Sequence, residues 1–177
     1  MMNRAMKSPR LPDKEGGFSM VEIMITLAIA GILLLAVGYS FQGWLAKHKV
    51  TGETGQMFAD IIEARAKAMQ RGRATFVVLR GNGYSTYEDT DPAPDGDLAL
   101  NTATDRLIVT HTLTYPVEWN LDGGNVVRFD RNGFASIPNG TIHMHTTMRP
   151  DVDCIAIGTT RVKLGRYVDA TDTCILQ

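Results

Sequence analysis

Residues 18–45 read FSMVEIMITLAIAGILLLAVGYSFQGWL, and Glu22 is the only formal charge among them. A bilayer core takes about 20 apolar helical residues to cross, so this run is long enough. Ahead of it, residues 1–17 (MMNRAMKSPRLPDKEGG) hold four cations, Arg4, Lys7, Arg10 and Lys14, against two anions, Asp13 and Glu15. They also hold two prolines and no apolar periodicity, which makes them a polar, net-positive leader. Lys47 and Lys49 follow the run with His48 between them. Cations ahead of an apolar run favour a cytoplasmic leader and an exported C-terminal part.

Three readings of this segment compete. A cleaved secretory signal would use Ala28-Ile29-Ala30 as its small-x-small triplet. Against it, Glu22 would sit inside the apolar region, and that region continues well past the triplet. A plain signal anchor explains the run and its orientation but leaves Glu22 unexplained. A carboxylate inside hydrocarbon costs roughly 2.5–3.5 kcal/mol on insertion scales unless it is neutralised or paired. A third reading supplies the pair.

The junction Gly17-Phe18-Ser19-Met20-Val21-Glu22 resembles the cleavage motif of type IV prepilins and type II secretion pseudopilins. The resemblance implies that a prepilin peptidase cuts between Gly17 and Phe18 and methylates the new amine of Phe18. It implies further that Glu22 pairs with the terminal amine of a neighbouring subunit and so sets axial register. A buried carboxylate without its partner is costly, so such a pair would favour one register. Helices in lipid gain little from hydrophobicity on association, which leaves packing and polar contacts to supply specificity.

Beyond the run, Val50–Arg73 reads VTGETGQMFADIIEARAKAMQRGR. Phe58, Ile61, Ile62, Arg65 and Met69 fall at helical spacing, and Ala64, Ala66 and Ala68 favour helix. The expected apolar stripe is Phe58, Ile61/Ile62 and Met69. Gly72 is the expected stop after Arg71. A continuous helix from Phe18 to Arg71 would be about 81 Å long. A long N-terminal helix, half in lipid and half packed on a head, matches the pilin architecture. Many major pilins carry a proline in the membrane half. Here no proline lies between Pro12 and Pro92, a departure that points to a minor subunit.

After Gly72 the pattern changes to short strands. They are expected at Ala74–Arg80, Tyr84–Glu88, Arg106–His111, Val117–Leu121, Val126–Asp130, Thr141–Thr147, Asp153–Ile157 and Arg161–Leu164. Gly81-Asn82-Gly83, Asp122-Gly123-Gly124, Asn132-Gly133 and Asn139-Gly140 supply turn signals between them. Asp89–Asp105 carries Asp91, Pro92, Pro94, Asp95 and Asp97 and reads as an exposed loop. The class is α+β: one long N-terminal α-helix, transmembrane in its first half, packed on an antiparallel β-sheet or sandwich head. Among pilin-like proteins the head resembles the GspH/FimT minor subunits. Residues 127–134 (VRFDRNGF) and 161–167 (RVKLGRY) carry that likeness.

Cys154 and Cys174 enclose 19 residues. With the head outside the cytoplasm they are expected to form a disulfide, and the alternative is two unpaired thiols. C-terminal disulfide loops are also common among pilins. Arg161, Lys163 and Arg166, with Arg149 upstream, form a local basic excess. Some FimT-like minor pilins bind DNA in this region through Gly-Arg-x-Arg. This chain has Gly165-Arg166-Tyr167-Val168 and lacks the second Arg. Removing the leader takes four of 18 cations and two of 19 acids, leaving 14 against 17 and a net charge of −3. Bulk charge therefore gives DNA binding no support. His143 and His145 alternate on a strand and share a face, half a metal site at most, with Asp151 and Asp153 the nearest acids in sequence. No catalytic constellation, phosphate loop or cofactor motif is present.

Length and composition agree with one domain plus an appendage: 177 residues, 44% hydrophobic, 21% charged, net charge −1. The expected organisation is a leader over 1–17, a membrane segment over 18–45, an extramembrane helix over 46–72 and a periplasmic head over 73–177. The expected role is that of a minor pilin or pseudopilin in a type IV pilus or a type II secretion pseudopilus, at its initiation or tip. The alternative is a DNA-binding minor pilin on the same scaffold. The implied partners are other pilin subunits, the prepilin peptidase, the inner membrane and its assembly platform. No enzymatic activity, cofactor or metal is expected.

Overall fold

A long stretch without proline propagates a helix until something stops it, and here α1 runs Met20–Arg71. A computed structural model describes residues 17–94, 96–122 and 124–176, with the side chains of 36–40 outside the description. The cleaved-leader expectation over 1–17 thus falls almost wholly outside the described residues, as do Asp95 and Gly123. The chain divides into two units, residues 1–41 and residues 42–177.

In the first unit the helix starts when the Ile23 N–H donates to the Ser19 carbonyl, 3.2 Å. Glu22 lies in the first turn, where the helix dipole favours negative charge. Apolar side chains point outward all round: Met20 is 81% exposed, Leu27 67% and Leu34 74%. Among the described residues no helix is long and apolar enough to cross a membrane. Phe41, Trp44 and Leu45 are exposed as well, while the side chains of 36–40 lie outside the description. The span expected over 18–45 therefore rests on the sequence run itself.

In the second unit α1 buries Val50, Thr54, Met57, Ile61, Ala64 and Ala68. Their spacing alternates four and three, which keeps them on one side of the helix. This corrects the expected stripe. Ile61 belongs to it, but Ile62 is 37% exposed and Met69 49% exposed. Side-chain size explains the difference: Ala64 and Ala68 admit the sheet backbone closely, so the Thr75 hydroxyl reaches the Ala64 carbonyl at 2.9 Å. A pattern search weighted by large apolar residues rotates the stripe by about one position. The helix ends where Gly72 takes φ +67° and its N–H donates to the Ala68 carbonyl, 3.0 Å. That left-handed stop suits glycine.

Nine strands follow: β1 Thr75–Arg80, β2 Gly83–Glu88, β3 Arg106–Thr112, β4 Val117–Leu121, β5 Val126–Phe129, β6 Asn139–Met144, β7 Cys154–Gly158, β8 Val162–Val168 and β9 Thr173–Leu176. All eight expected strands are present, β4 with the expected ends and the others with ends shifted. The ninth, Thr173–Leu176, was not foreseen: it is short and has no glycine turn signal beside it. The strands pair antiparallel in two sheets, ordered β3-β2-β1-β5 and β4-β6-β7-β8-β9.

One core joins the helix stripe to Val77, Leu79, Tyr84, Val127 and Phe129 of the first sheet and to Val117, Ile142, Met144, Ile155 and Ile157 of the second. Phe76, Val78 and Tyr87 face the other way, and Leu100 packs on them. The Asp89–Asp105 loop is thus not simply exposed. Asp91–Pro94 and Asp97–Ala99 face solvent, while Asp89 and Asp105 are buried at its ends. The Asp89 carboxylate accepts the Asp97 and Leu98 N–H groups, and Asp105 accepts those of Thr90 and Asn101.

The corrected stripe is testable by unfolding the full-length chain in detergent. Ile61→Ala should cost about 2–5 kcal/mol, as a buried truncation does. Ile62→Ala, one position along, should cost less than about 1 kcal/mol. Equal costs would contradict this orientation of the helix.

Candidate functional site

Phe18 precedes the helix and is 79% exposed. Glu22 is exposed in the first turn and has no ion-pair partner among the described residues. Gly17, on the leader side of the junction, is likewise exposed. These three residues sit together at the start of the described chain, and nothing within it covers them.

The head carries its polar groups in three clusters. The first seats the helix. Asp60, on α1, accepts a hydrogen bond from the Tyr84 hydroxyl at 2.6 Å and one from Gln56 at 2.9 Å. His111 Nε2 lies 3.1 Å from the same carboxylate. Burial, then the Asp60 carboxylate, push the Tyr84 phenol far above the usual tyrosine range. Two turns earlier on that side, Glu53 accepts the Thr114 N–H at 3.1 Å, and the Tyr115 N–H lies 3.5 Å from it. The second cluster surrounds Glu88, at the end of β2, and contains Arg71, Arg73 and Arg106.

The third cluster covers the outer face of the second sheet. Register puts Glu118, His143, Cys154 and Gly165 in one row and Tyr167 opposite Cys174. Cys154 and Cys174 form a disulfide, so the bridge ties β7 to β9 across β8. It passes beside Gly165: a Cβ there would stand 2.8 Å from Cys174 Sγ and 2.4 Å from the Ile175 carbonyl oxygen. Only glycine leaves room for the bridge. The Tyr167 ring stacks on His143 with centroids 3.6 Å apart, and its hydroxyl donates to Asp172 at 2.5 Å. That hydrogen bond pushes the Tyr167 phenol up to about 12.

His143 and His145 do share a face, and the acid between them is Glu118 on β4. His143 Nε2 lies 3.3 Å and His145 Nδ1 3.0 Å from its carboxylate. The sequence pointed to Asp151 and Asp153 because they are near in the chain; strand pairing brings Glu118 instead. Asp153 is occupied locally, accepting the Tyr167 N–H at 2.7 Å. Burial pulls the His143 pKa down against the opposing pull of Glu118, and burial pushes Asp153 up. Among the described residues no group of three such side chains is placed to hold a metal ion.

The three basic residues near the C-terminus are not brought together. Lys163 lies on the outer face of β8, with Arg161 just before the strand on the same side. They border a shallow cleft floored by Gly140, Thr141, Ala156 and Gly158. Arg166 has the opposite parity on β8 and borders a different cleft, of about 580 Å³, with Arg149, Asp153 and Asp169.

Comparison with known proteins agrees with this architecture. The prokaryotic N-terminal methylation motif matches residues 12–38. The type II transport protein GspH family matches residues 53–160, more than half of the chain. A type IV major fimbrial protein FimA from Dichelobacter nodosus is 29% identical over 132 residues, which cover 71% of this chain and 78% of FimA. A crystal structure of the Pseudomonas aeruginosa type IV minor pilin FimU superposes with a TM-score of 0.51 at 16% identity, covering 68% of this chain and 91% of FimU. At that identity the likeness speaks for the fold alone.

Two outcomes are expected from the third cluster. Gly165→Ala should leave free thiols that a thiol reagent counts, and Cys174→Ser should lower stability by about 3 kcal/mol. The depressed His143 pKa has its own signature. The unfolded histidine binds a proton more readily than the folded one, so this residue costs stability as pH falls below its ordinary value of 6.5. His143→Phe keeps a ring on Tyr167 and should flatten the decline in urea midpoint between about pH 7 and pH 5. An unchanged decline would refute that assignment.

Proposed function

The chain belongs to the GspH family of type II transport proteins, and from that premise we propose that it is a minor subunit acting at the initiation or tip of a type IV pilus or type II secretion pseudopilus. That it is a type IV minor pilin or pseudopilin follows from the family itself, whose members are structural subunits that assemble with other pilins. The observation that carries the finer reading is a coincidence in one chain. A methylation motif heads a helix whose first turn carries a lone exposed acid, and a GspH head completes that helix.

In this reading the prepilin peptidase cuts between Gly17 and Phe18 and methylates Phe18. The run over 18–45 holds the subunit in the inner membrane, with the head in the periplasm. Glu22 then pairs with the cationic amine of an adjoining subunit as an assembly platform draws it from the membrane. The physical support is the cost of a lone carboxylate in hydrocarbon, which a cation from a neighbour removes. The missing proline favours a minor role over a bulk one. The DNA-binding alternative gains nothing from the geometry: Arg161 and Lys163 border one cleft and Arg166 another.

Mass spectrometry of the protein from its native membrane tests the processing step, with N-methyl Phe18 expected at the N-terminus. Recovery of intact residues 1–17 in cells with a working peptidase would overturn it. Glu22→Leu should be cleaved and inserted normally yet enter sheared filaments at no more than about a tenth of the wild-type level, since loss of a buried ion-pair partner is severe. Wild-type incorporation would defeat the pairing argument.

A further inference from the structure

Where the apolar run gives way to the head, α1 reads Gln42-Gly43-Trp44-Leu45-Ala46-Lys47-His48-Lys49. Trp44 and Leu45 are each more than half exposed, and Lys47, His48 and Lys49 are exposed as well. The next residue, Val50, is fully buried and opens the stripe that packs on the sheets. With 3.6 residues per turn, Trp44, Leu45 and His48 fall on the side of α1 opposite Val50, Thr54 and Met57, and Lys47 and Lys49 fall on its two flanks. The His48 imidazole meets the Trp44 indole edge-on, with ring centroids 4.2 Å apart, and holds it against the helix.

The order along the axis matches the layers of a bilayer. Tryptophan is enriched where hydrocarbon meets headgroups, and lysine lays its stem on apolar surface while its ammonium reaches the polar layer. From Trp44, Lys47 rises about 4.5 Å and Lys49 about 7.5 Å. One headgroup layer is about 5–7 Å thick. Val50, about 9 Å above Trp44, is where the head takes over. The lone acid between residues 42 and 59 is Glu53, which spends its carboxylate on the Thr114 and Tyr115 N–H groups. Residues 112–117, around those N–H groups, carry no charge, so the two lysines keep a positive balance even with Glu53 counted. Lysines on the exported side also run against the preference for cytoplasmic cations, so topology does not account for them.

We propose that Lys47 and Lys49, with Trp44 beneath them, bind headgroup phosphates of anionic phospholipid at the exported surface of the membrane and set the height at which the head rests. This rests on the membrane-anchored reading above. A second copy of the chain suits the face less well, because apposing it with itself would bring four lysines together.

The test uses the full-length chain in mixed detergent–lipid micelles, carrying Trp119→Phe so that Trp44 is the only tryptophan. Trp119→Tyr serves in its place if the Phe variant unfolds early. Trp44 fluorescence is titrated with brominated phosphatidylglycerol or brominated phosphatidylcholine, which quench indole on contact. Half-quenching is expected at about fivefold less phosphatidylglycerol than phosphatidylcholine. Lys47→Gln with Lys49→Gln should erase that preference while both lipids still quench, and Arg161→Gln with Lys163→Gln should keep it. Matching unfolding midpoints verify that these variants fold. Equal quenching by the two lipids with both lysines in place, or a preference that survives their loss, overturns the site and leaves the anchor standing. Absence of quenching by either lipid overturns the anchor too. Quenching that fades as protein concentration rises at a constant lipid-to-protein ratio would put a second copy on this face, and that also overturns the site.

Discussion

Everything in the head depends on how closely α1 approaches the sheets. The stripe Val50, Thr54, Met57, Ile61, Ala64 and Ala68 ends in two methyl-sized residues, and there the Thr75 hydroxyl reaches the helix backbone itself. Close approach turns the flanking polar groups from surface decoration into fixed contacts. Asp60 meets Tyr84 and His111, and Glu53 meets the backbone between β3 and β4. Larger residues at 64 and 68 would push the sheets away and leave those carboxylates half-buried without partners, a costly state.

What could be read from the chain follows the range of the interactions. The helix, its glycine stop and eight strands were legible because they rest on local spacing and turn chemistry. The orientation of the helix was legible only in part: Phe58 and Ile61 do pack on the core, but Met69 is exposed and the small Ala64 and Ala68 face the sheet. β9 was missed because, unlike the equally short β5, it has no glycine turn signal beside it. His143 and His145 were correctly placed on one face, yet their acid, Glu118, lies 25 residues away from His143 in sequence and arrives only through strand register. The convergence on Glu88 was invisible for the same reason: Arg71, Arg73 and Arg106 gather only after β2 and β3 pair.

The outer face of the second sheet shows how one glycine organises a surface. Gly165 lets the Cys154–Cys174 bridge pass, and the bridge holds β9 against β8 at the sheet edge. With β9 fixed, Tyr167 is held over His143 and its hydroxyl on Asp172. The sequence offered Arg161, Lys163 and Arg166 as a local basic excess. The alternation of β8 instead divides it, sending Arg161 and Lys163 to one side and Arg166 to the other.

The polar seats along the helix also have a mechanical meaning. Glu53, Asp60 and Arg71, spread along α1, grip three different parts of the head. A force drawn along α1 therefore loads them in shear, all at once, and none can peel away before the others. Zippered contacts fail one by one under tension; a set bolted in parallel shares the load.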